Sequence, residues 1–325
     1  MTPVLELRDL RTSFVTPKET IHALQDLSLS VARGEILGLV GESGSGKSLT
    51  GFSINRLISP PGQVTAGEVR LHGENILPLK EKQMRRLRGQ KIAMIFQDPM
   101  MTLNPVLRIG TQIRDALLAH QRLDRAQVRA CAVAALDEVG IPSPEDRLNT
   151  YPHQLSGGMR QRVAIAIALL HQPDLIIADE PTTALDVTIQ GQILALVQQL
   201  CRDRGTALIW ISHDLAVVAG LADRIAVMYA GRIVEQGPVN DVLDNPAHPY
   251  TRGLIASVPV PGQRGGRLQQ IPGRMPALSD LPPGCAFAPR CDRATAACGS
   301  MPALAPVNDS RAVRCVHPIT GGQET

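Results

Sequence analysis

Residues 41–48 read Gly41-Glu42-Ser43-Gly44-Ser45-Gly46-Lys47-Ser48: a glycine, four residues, then Gly-Lys-Ser. That spacing suits the binding of phosphate groups. Gly44 and Gly46 let the backbone curl so that successive N–H groups point at one anion. A helix that follows adds the partial positive charge of its N-terminus. The Lys47 ammonium then reaches the β- and γ-phosphates of a nucleotide, and the Ser48 hydroxyl sits on Mg²⁺. Farther on, residues 175–180 read Leu-Ile-Ile-Ala-Asp-Glu, four apolar residues and then two carboxylates. Buried carboxylates are costly unless paired or metal-bound, so Mg²⁺ is the natural partner for Asp179.

The elements that must carry these groups are legible around them. Ile36 to Val40 is continuously apolar and predicts a buried strand leading into the glycine-rich turn. Leu49 to Ile58 continues as a helix. Ile92 to Phe96 and Ala207 to Ile211 predict further buried strands, ending at Gln97 and at Ser212-His213-Asp214. Binding residues are expected at such strand ends in open α/β sheets. Leu5–Leu10, Ala23–Val31 and Glu68–Leu71 suggest a small antiparallel layer. Phe14 follows the first of these and is either a stacking surface for adenine or ordinary core. From Arg108 to Gly140 the apolar residues recur at helical spacing, which places a helical subdomain there. Strands alternating with helices around a phosphate loop argue a mostly parallel sheet.

Composition narrows the class. The formal net charge is +3 and aromatics are 2% of the chain, so the basic stripe and stacking rings of a nucleic-acid binder are not evident. No apolar run approaches the ~20 residues of a membrane span, and the first residues lack the layout of a signal peptide. A soluble cytosolic protein is expected, in which six cysteines point away from disulfides.

Five motifs stand in one order: the phosphate loop, Gln97, Leu155-Ser156-Gly157-Gly158-Met159, the strand ending in Asp179-Glu180, and His213. The array resembles the ATP-binding subunits of ABC transporters over roughly residues 1–250. The signature at 155–158 is its specific element. The resemblance implies a P-loop NTPase fold of the α/β class with a mostly parallel core sheet, an antiparallel β subdomain and a helical subdomain at about 98–160. Residues 1–257 would form the nucleotide-binding domain. It also implies that two subunits sandwich two ATP molecules head to tail. Gly41, Ser43, Gly44, Gly46, Lys47, Ser48 and Leu49 of one subunit would hold nucleotide, and Ser156, Gly157 and Gly158 of the other would cover the γ-phosphate. Ser48, Gln97 and Asp179 would place Mg²⁺, Glu180 would polarise the attacking water, and His213 would contact the γ-phosphate. Asp186 would lie at the subunit seam.

Glu42-Ser43, Phe96-Gln97-Asp98-Pro99, Leu103-Asn104-Pro105, Tyr151-Pro152-His153-Gln154, residues 181–188 and His248-Pro249-Tyr250-Thr251 resemble the oligopeptide, dipeptide and nickel importer branch. That implies a second ATPase subunit, two membrane permeases, an external binding protein and a peripheral place on the cytoplasmic face of the membrane. Nickel or glutathione remain open as cargo. A DNA-acting ATPase with the same signature would insert long coiled coils, yet only 107 residues lie between Lys47 and Leu155, with no sustained heptads. A translation-linked ATPase would carry two cassettes, and one phosphate loop is present.

The C-terminal extension, 258–325, changes character. Its last 67 residues hold 10 Pro and 8 Gly, with Cys285, Cys291, Cys298 and Cys315 at gaps of five, six and sixteen. The spacing alone leaves zinc, an iron–sulfur cluster or free thiols open. The resemblance suggests a [4Fe–4S] cluster, with Zn²⁺ as the alternative. Thiolates are the one feature of this extension expected to order it. Cys131 and Cys201 fall in helical patterns and suit the core. The ATP site is expected in another part of the chain, so nucleotide binding should survive loss of the metal centre.

Overall fold

The computed structural model describes residues 2–183, 185–258 and 270–319. Its strands are β1 (Leu5–Val15), β2 (Thr20–Val31), β3 (Ile36–Val40), β4 (Gly62–Leu71), β5 (Glu74–Asn75), β6 (Ile92–Ile95), β7 (Leu175–Asp179), β8 (Ala207–Ser212), β9 (Arg224–Tyr229), β10 (Arg232–Pro238), β11 (Ala305–Asn308) and β12 (Arg311–Val313). Its helices are α1 (Lys47–Asn55), α2 (Glu81–Leu87), α3 (Pro99–Thr102), α4 (Ile109–Leu118), α5 (Arg125–Glu138), α6 (Pro144–Arg147), α7 (Gly157–Leu169), α8 (Val187–Arg204), α9 (Leu215–Leu221), α10 (Val239–Asp244) and α11 (Pro249–Ala256). The chain forms two compact units. The first holds residues 2–5, 31–35, 76–183 and 185–209; the second holds 6–30, 36–75, 210–258 and 270–319.

In the first unit the strand order is β6-β7-β8. Strand β6 runs parallel to β7, with Ile92 opposite Leu175 and Ile95 opposite Ala178. Every residue of β7 is buried, as its unbroken apolar run requires for a strand covered on both faces. Helices α3 to α7 lie in this unit. Apolar Ile109, Ile113 and Leu117 of α4 and Val128, Ala132 and Leu136 of α5 turn inward at the spacing of one helix face.

In the second unit the order is β8-β3-β9-β10-β12-β11, and a separate sheet runs β2-β1-β4-β5. Strand β3 is buried throughout and parallel to β9. Helix α9 packs so closely on β3 that a Cβ at Gly38 would lie 2.2 Å from Val218 Cγ1. The apolar run Ile225 to Tyr229 makes β9 a buried strand not identified from the sequence, and β10 returns antiparallel to it.

The C-terminal extension is ordered by more than its thiols, a correction to the sequence expectation. Strand β12 adds antiparallel to β10, and β11 to β12. Arg311 Nη2 donates to the buried Glu235 carboxylate at 2.9 Å. The same carboxylate accepts from the N–H groups of Ala247 and His248 at 2.8 and 2.9 Å. Arg314 Nε donates to Ile233 O and its Nη1 to Pro302 O, both at 3.0 Å. Short strands and buried, hydrogen-bonded arginines therefore hold a segment too poor in apolar residues to build its own core.

His248 is buried and its Nδ1 accepts from the N–H of Tyr250 at 3.0 Å, capping α11. Burial pushes its pKa down to about 3 from 6.5, against the opposing effect of a hydrogen bond to the backbone of Arg314. Between those values the unfolded chain binds one more proton than the folded one, so stability rises with pH through that window. His248→Asn keeps a capping acceptor and removes the titration. Urea unfolding at pH 6.5 and pH 5 should show the native chain losing about 2 kcal/mol more than the variant over that interval.

Candidate functional site

The phosphate loop leaves β3 and enters α1. Gly41, Gly44 and Gly46 all have positive φ (151°, 82° and 107°), the curl expected of an anion cradle. Gly46 is the left-handed N-cap of α1, and a Cβ there would lie 2.8 Å from Leu24 Cδ2. The buried Lys47 ammonium donates to the carbonyls of Gly41 and Glu42 at 2.8 and 3.0 Å, which keeps it inside the curl of the loop. Ser48 and Leu49 form the first turn of α1. This loop fits a nucleotide phosphate: a curled backbone, a helix N-terminus and one ammonium converge on it.

Other predicted residues of the second unit lie apart in sequence. Phe14 is half-buried on β1, with its Cε1 2.9 Å from where a Cβ would stand at Gly62. His213 is exposed just past β8. Asp214 beside it caps α9 by accepting from the N–H groups of Ala216 and Val217, which fixes the turn that presents His213.

The first unit brings Gln97 and Glu180 together. Gln97 Nε2 donates to Glu180 Oε2 at 3.2 Å, and Thr183 Oγ1 donates to the same oxygen at 3.1 Å. Glu180 has φ 44°, a left-handed conformation that a non-glycine residue holds only under constraint. Its carboxylate is thus fixed in place at the carboxyl end of β7. Asp179 beside it is buried. Thr183 has no role of its own in the sequence reading, where it falls only within the 181–188 stretch that resembles the importer branch. Ser48 in the second unit and Gln97 and Asp179 in the first each carry an oxygen donor, the donor chemistry that Mg²⁺ takes.

Ser156 is the N-cap of α7, its Oγ accepting from the N–H of Met159 at 3.3 Å. A Cβ at Gly158 would lie 2.8 Å from Ile189 Cγ2, so α7 and α8 approach this closely because 158 is glycine. Asp186 caps α8 through Ile189 N–H at 2.9 Å. The signature therefore presents a hydroxyl and open N–H groups at the start of a 13-residue helix.

Among the described residues, no group of three or more His, Cys, Asp or Glu is gathered so as to hold a metal ion. All four cysteines of the extension nevertheless line one cavity, together with His248 and Phe287. Backbone N–H groups of Arg293 and His317 donate to the sulfurs of Cys291 and Cys315 at 3.4 and 3.3 Å. Burial raises the pKa of Cys285, Cys291 and Cys315. Such a set of sulfurs, with amide donors and no carboxylate on the cavity wall, fits a thiolate-bound group by donor chemistry. Cys201 is buried in α8 as expected, where burial raises its thiol to about 12, whereas Cys131 is exposed on α5.

A family model described as "ABC transporter" matches residues 24–183, and one described as "Oligopeptide/dipeptide transporter, C-terminal region" matches 234–298. The oligopeptide transport ATP-binding protein OppD of Salmonella typhimurium is 46% identical over 316 residues, covering 97% of this chain and 94% of that protein. The probable D,D-dipeptide transport ATP-binding protein DdpD of Escherichia coli is 50% identical over 310 residues, 95% of this chain and 94% of that one. Among solved structures, an ATP-binding cassette in a dimeric post-hydrolysis state with ADP and phosphate has a TM-score of 0.65 at 28% identity, covering 72% of this chain and 98% of that chain. The chain belongs to the ATP-binding subunits of ABC transporters, in the oligopeptide/dipeptide branch.

Lys47→Ala removes the one charge that the loop sends toward the phosphates. ATP affinity should fall at least about tenfold, measured by titration with a fluorescent ATP analogue.

Proposed function

We propose that this chain is the ATP-hydrolysing subunit of a membrane importer for di- or oligopeptides. What carries the proposal is the near-full-length match to peptide-import ATP-binding proteins, which extends into the C-terminal extension. Its partners would be a second ATPase subunit, two membrane permeases and an external substrate-binding protein. It would sit on the cytoplasmic side as a peripheral subunit. Consistent with that role, no helix among the described residues is long and apolar enough to cross a membrane.

In the proposed cycle Phe14 stacks on adenine, and the loop from Gly41 to Leu49 binds the phosphates. Ser48, Gln97 and Asp179 would hold Mg²⁺, which would supply charge neutralisation on the phosphates. Glu180 orients the attacking water and draws on its proton. Its fixed carboxylate, held by Gln97 and Thr183, supports that role. His213 contacts the γ-phosphate. Ser156, Gly157 and Gly158 of one subunit cover the γ-phosphate held by the other, with Asp186 at the seam. Closure of the two subunits is favoured by ATP only through a higher affinity of the closed state for it.

Glu180→Gln keeps volume and removes the carboxylate. The variant, assembled in the transporter, should bind ATP with native affinity and turn it over at least about a hundredfold more slowly. Turnover near the native rate would show that another group activates the water.

Cys285, Cys291, Cys298 and Cys315 are proposed to hold a [4Fe–4S] cluster. Support comes from the four sulfurs on one cavity wall. A single zinc ion held by the same four thiolates is the alternative. A bound cluster would cross-link three turns of the extension. Replacing any one cysteine by serine should lose most of the metal. Anaerobically purified protein should be brown, with equal iron and acid-labile sulfide. Colourless protein with stoichiometric zinc would overturn the cluster.

A further inference from the structure

The phosphate loop carries a carboxylate of its own. Glu42 is its second residue, and a negative charge there opposes the binding of a polyanion. The structure answers that charge from the far end of the chain. Arg290 Nη1 donates to Glu42 Oε2 at 2.8 Å and Nη2 to Glu42 Oε1 at 2.9 Å, a two-pronged pair. Arg290 is itself well held. Its Nε donates to Pro272 O at 2.8 Å, and Nη1 also reaches Tyr229 Oη at 3.3 Å. Its side chain is 6% exposed against 27% for Glu42, so water screens the pair only in part. From the other side, the N–H of Glu42 donates to the hydroxyl of the buried Tyr250 at 2.8 Å.

The turn that presents Arg290 is built between two cysteines of the extension. Ala288 N–H bonds to Cys285 O, Arg290 N–H to Phe287 O, and Cys291 N–H to Ala288 O. All these residues lie in one compact unit with the phosphate loop.

We propose that Arg290 is a positioning residue for the phosphate-binding loop: it neutralises and orients Glu42, so that the cysteine-bearing extension sets nucleotide affinity from within the same subunit. This rests on the phosphate loop being an ATP site. It revises the expectation that the phosphate loop and the cysteine-bearing extension are separate parts of the chain. Glu42 does not touch substrate in this account; it is the charge that Arg290 must cancel. Three features make the fork specific. A bidentate guanidinium fixes both carboxylate oxygens, which a lysine does not do. Glu42 O also receives the Lys47 ammonium, so a rotation at residue 42 moves the group that reaches the phosphates. Tyr250 holds the N–H on the same residue, so the loop is gripped at side chain and backbone together.

The test is equilibrium binding of a fluorescent ATP analogue to the full chain, with KM and kcat measured in the assembled transporter. Arg290→Met should raise Kd about tenfold by exposing the phosphates to the uncancelled Glu42 charge. KM should rise accordingly while kcat at saturating ATP changes less than threefold. Glu42→Gln in the Arg290→Met background should bring Kd back to within about threefold of native, because the charge that needed cancelling is gone. A role confined to holding the fold would show no such rescue. Arg290→Lys keeps the charge, loses the fork, and should fall between the native chain and Arg290→Met. If Arg290→Met does not yield folded protein, Arg290→Lys and its combination with Glu42→Gln carry the same comparison. A native Kd in the Arg290 variants, or no recovery on adding Glu42→Gln, overturns the proposal. Failure of the native chain to bind ATP would instead overturn the ATPase reading on which it rests.

Discussion

A strand buried on both faces has nowhere to put polar chemistry except its ends. Strands β3, β7 and β8 are buried from first residue to last. Their apolar runs satisfy backbone donors and acceptors through the sheet, and the one charged side chain in the three strands, Asp179, stands at the last residue of β7. The chain then turns abruptly polar at each carboxyl end: Gly41 after β3, Glu180 after β7, His213 after β8. The strained φ of Glu180 and the positive φ of Gly41 belong to the same transition, in which the backbone must leave the sheet sharply. The chemistry of the molecule follows from where its sheets stop.

That constraint is also why so much was legible in the sequence. An apolar run followed by glycines or carboxylates marks both an element and a site, and β3 with its loop and β7 with its acids were read from that pattern alone. The signature helix α7 was legible because Ser156 and two glycines announce a helix start. Other parts carried no such local signal. Thr183 supports Glu180 across three residues of turn, and a threonine in a turn has many bland uses. Strand β9 shows an apolar run, yet β10 to β12 mix charged and apolar residues and depend on long-range pairing. Arg290 and Glu42 stand 248 residues apart, so nothing in either neighbourhood points to the other.

The C-terminal extension changes meaning once it is seen folded. Composition made it a Pro- and Gly-rich appendage needing its thiols for order. In the structure it is a set of arginines placed against groups of the second unit: Arg311 on Glu235, Arg314 on backbone carbonyls, Arg290 on Glu42. Guanidinium groups suit this work because they stay charged and offer several fixed donors where few apolar atoms are to hand. The extension is thereby part of the same compact unit as the phosphate loop.

The central claim is that one subunit carries an incomplete catalytic site and that a second must bring its signature to the bound ATP. The most direct measurement is ATP turnover per chain at saturating ATP, for subunit shown by light scattering to be monomeric and for the same subunit assembled with its transporter partners. The account predicts slow turnover by the monomer and fast turnover in the assembly. A monomer that hydrolyses ATP as fast as the assembled transporter would contradict it.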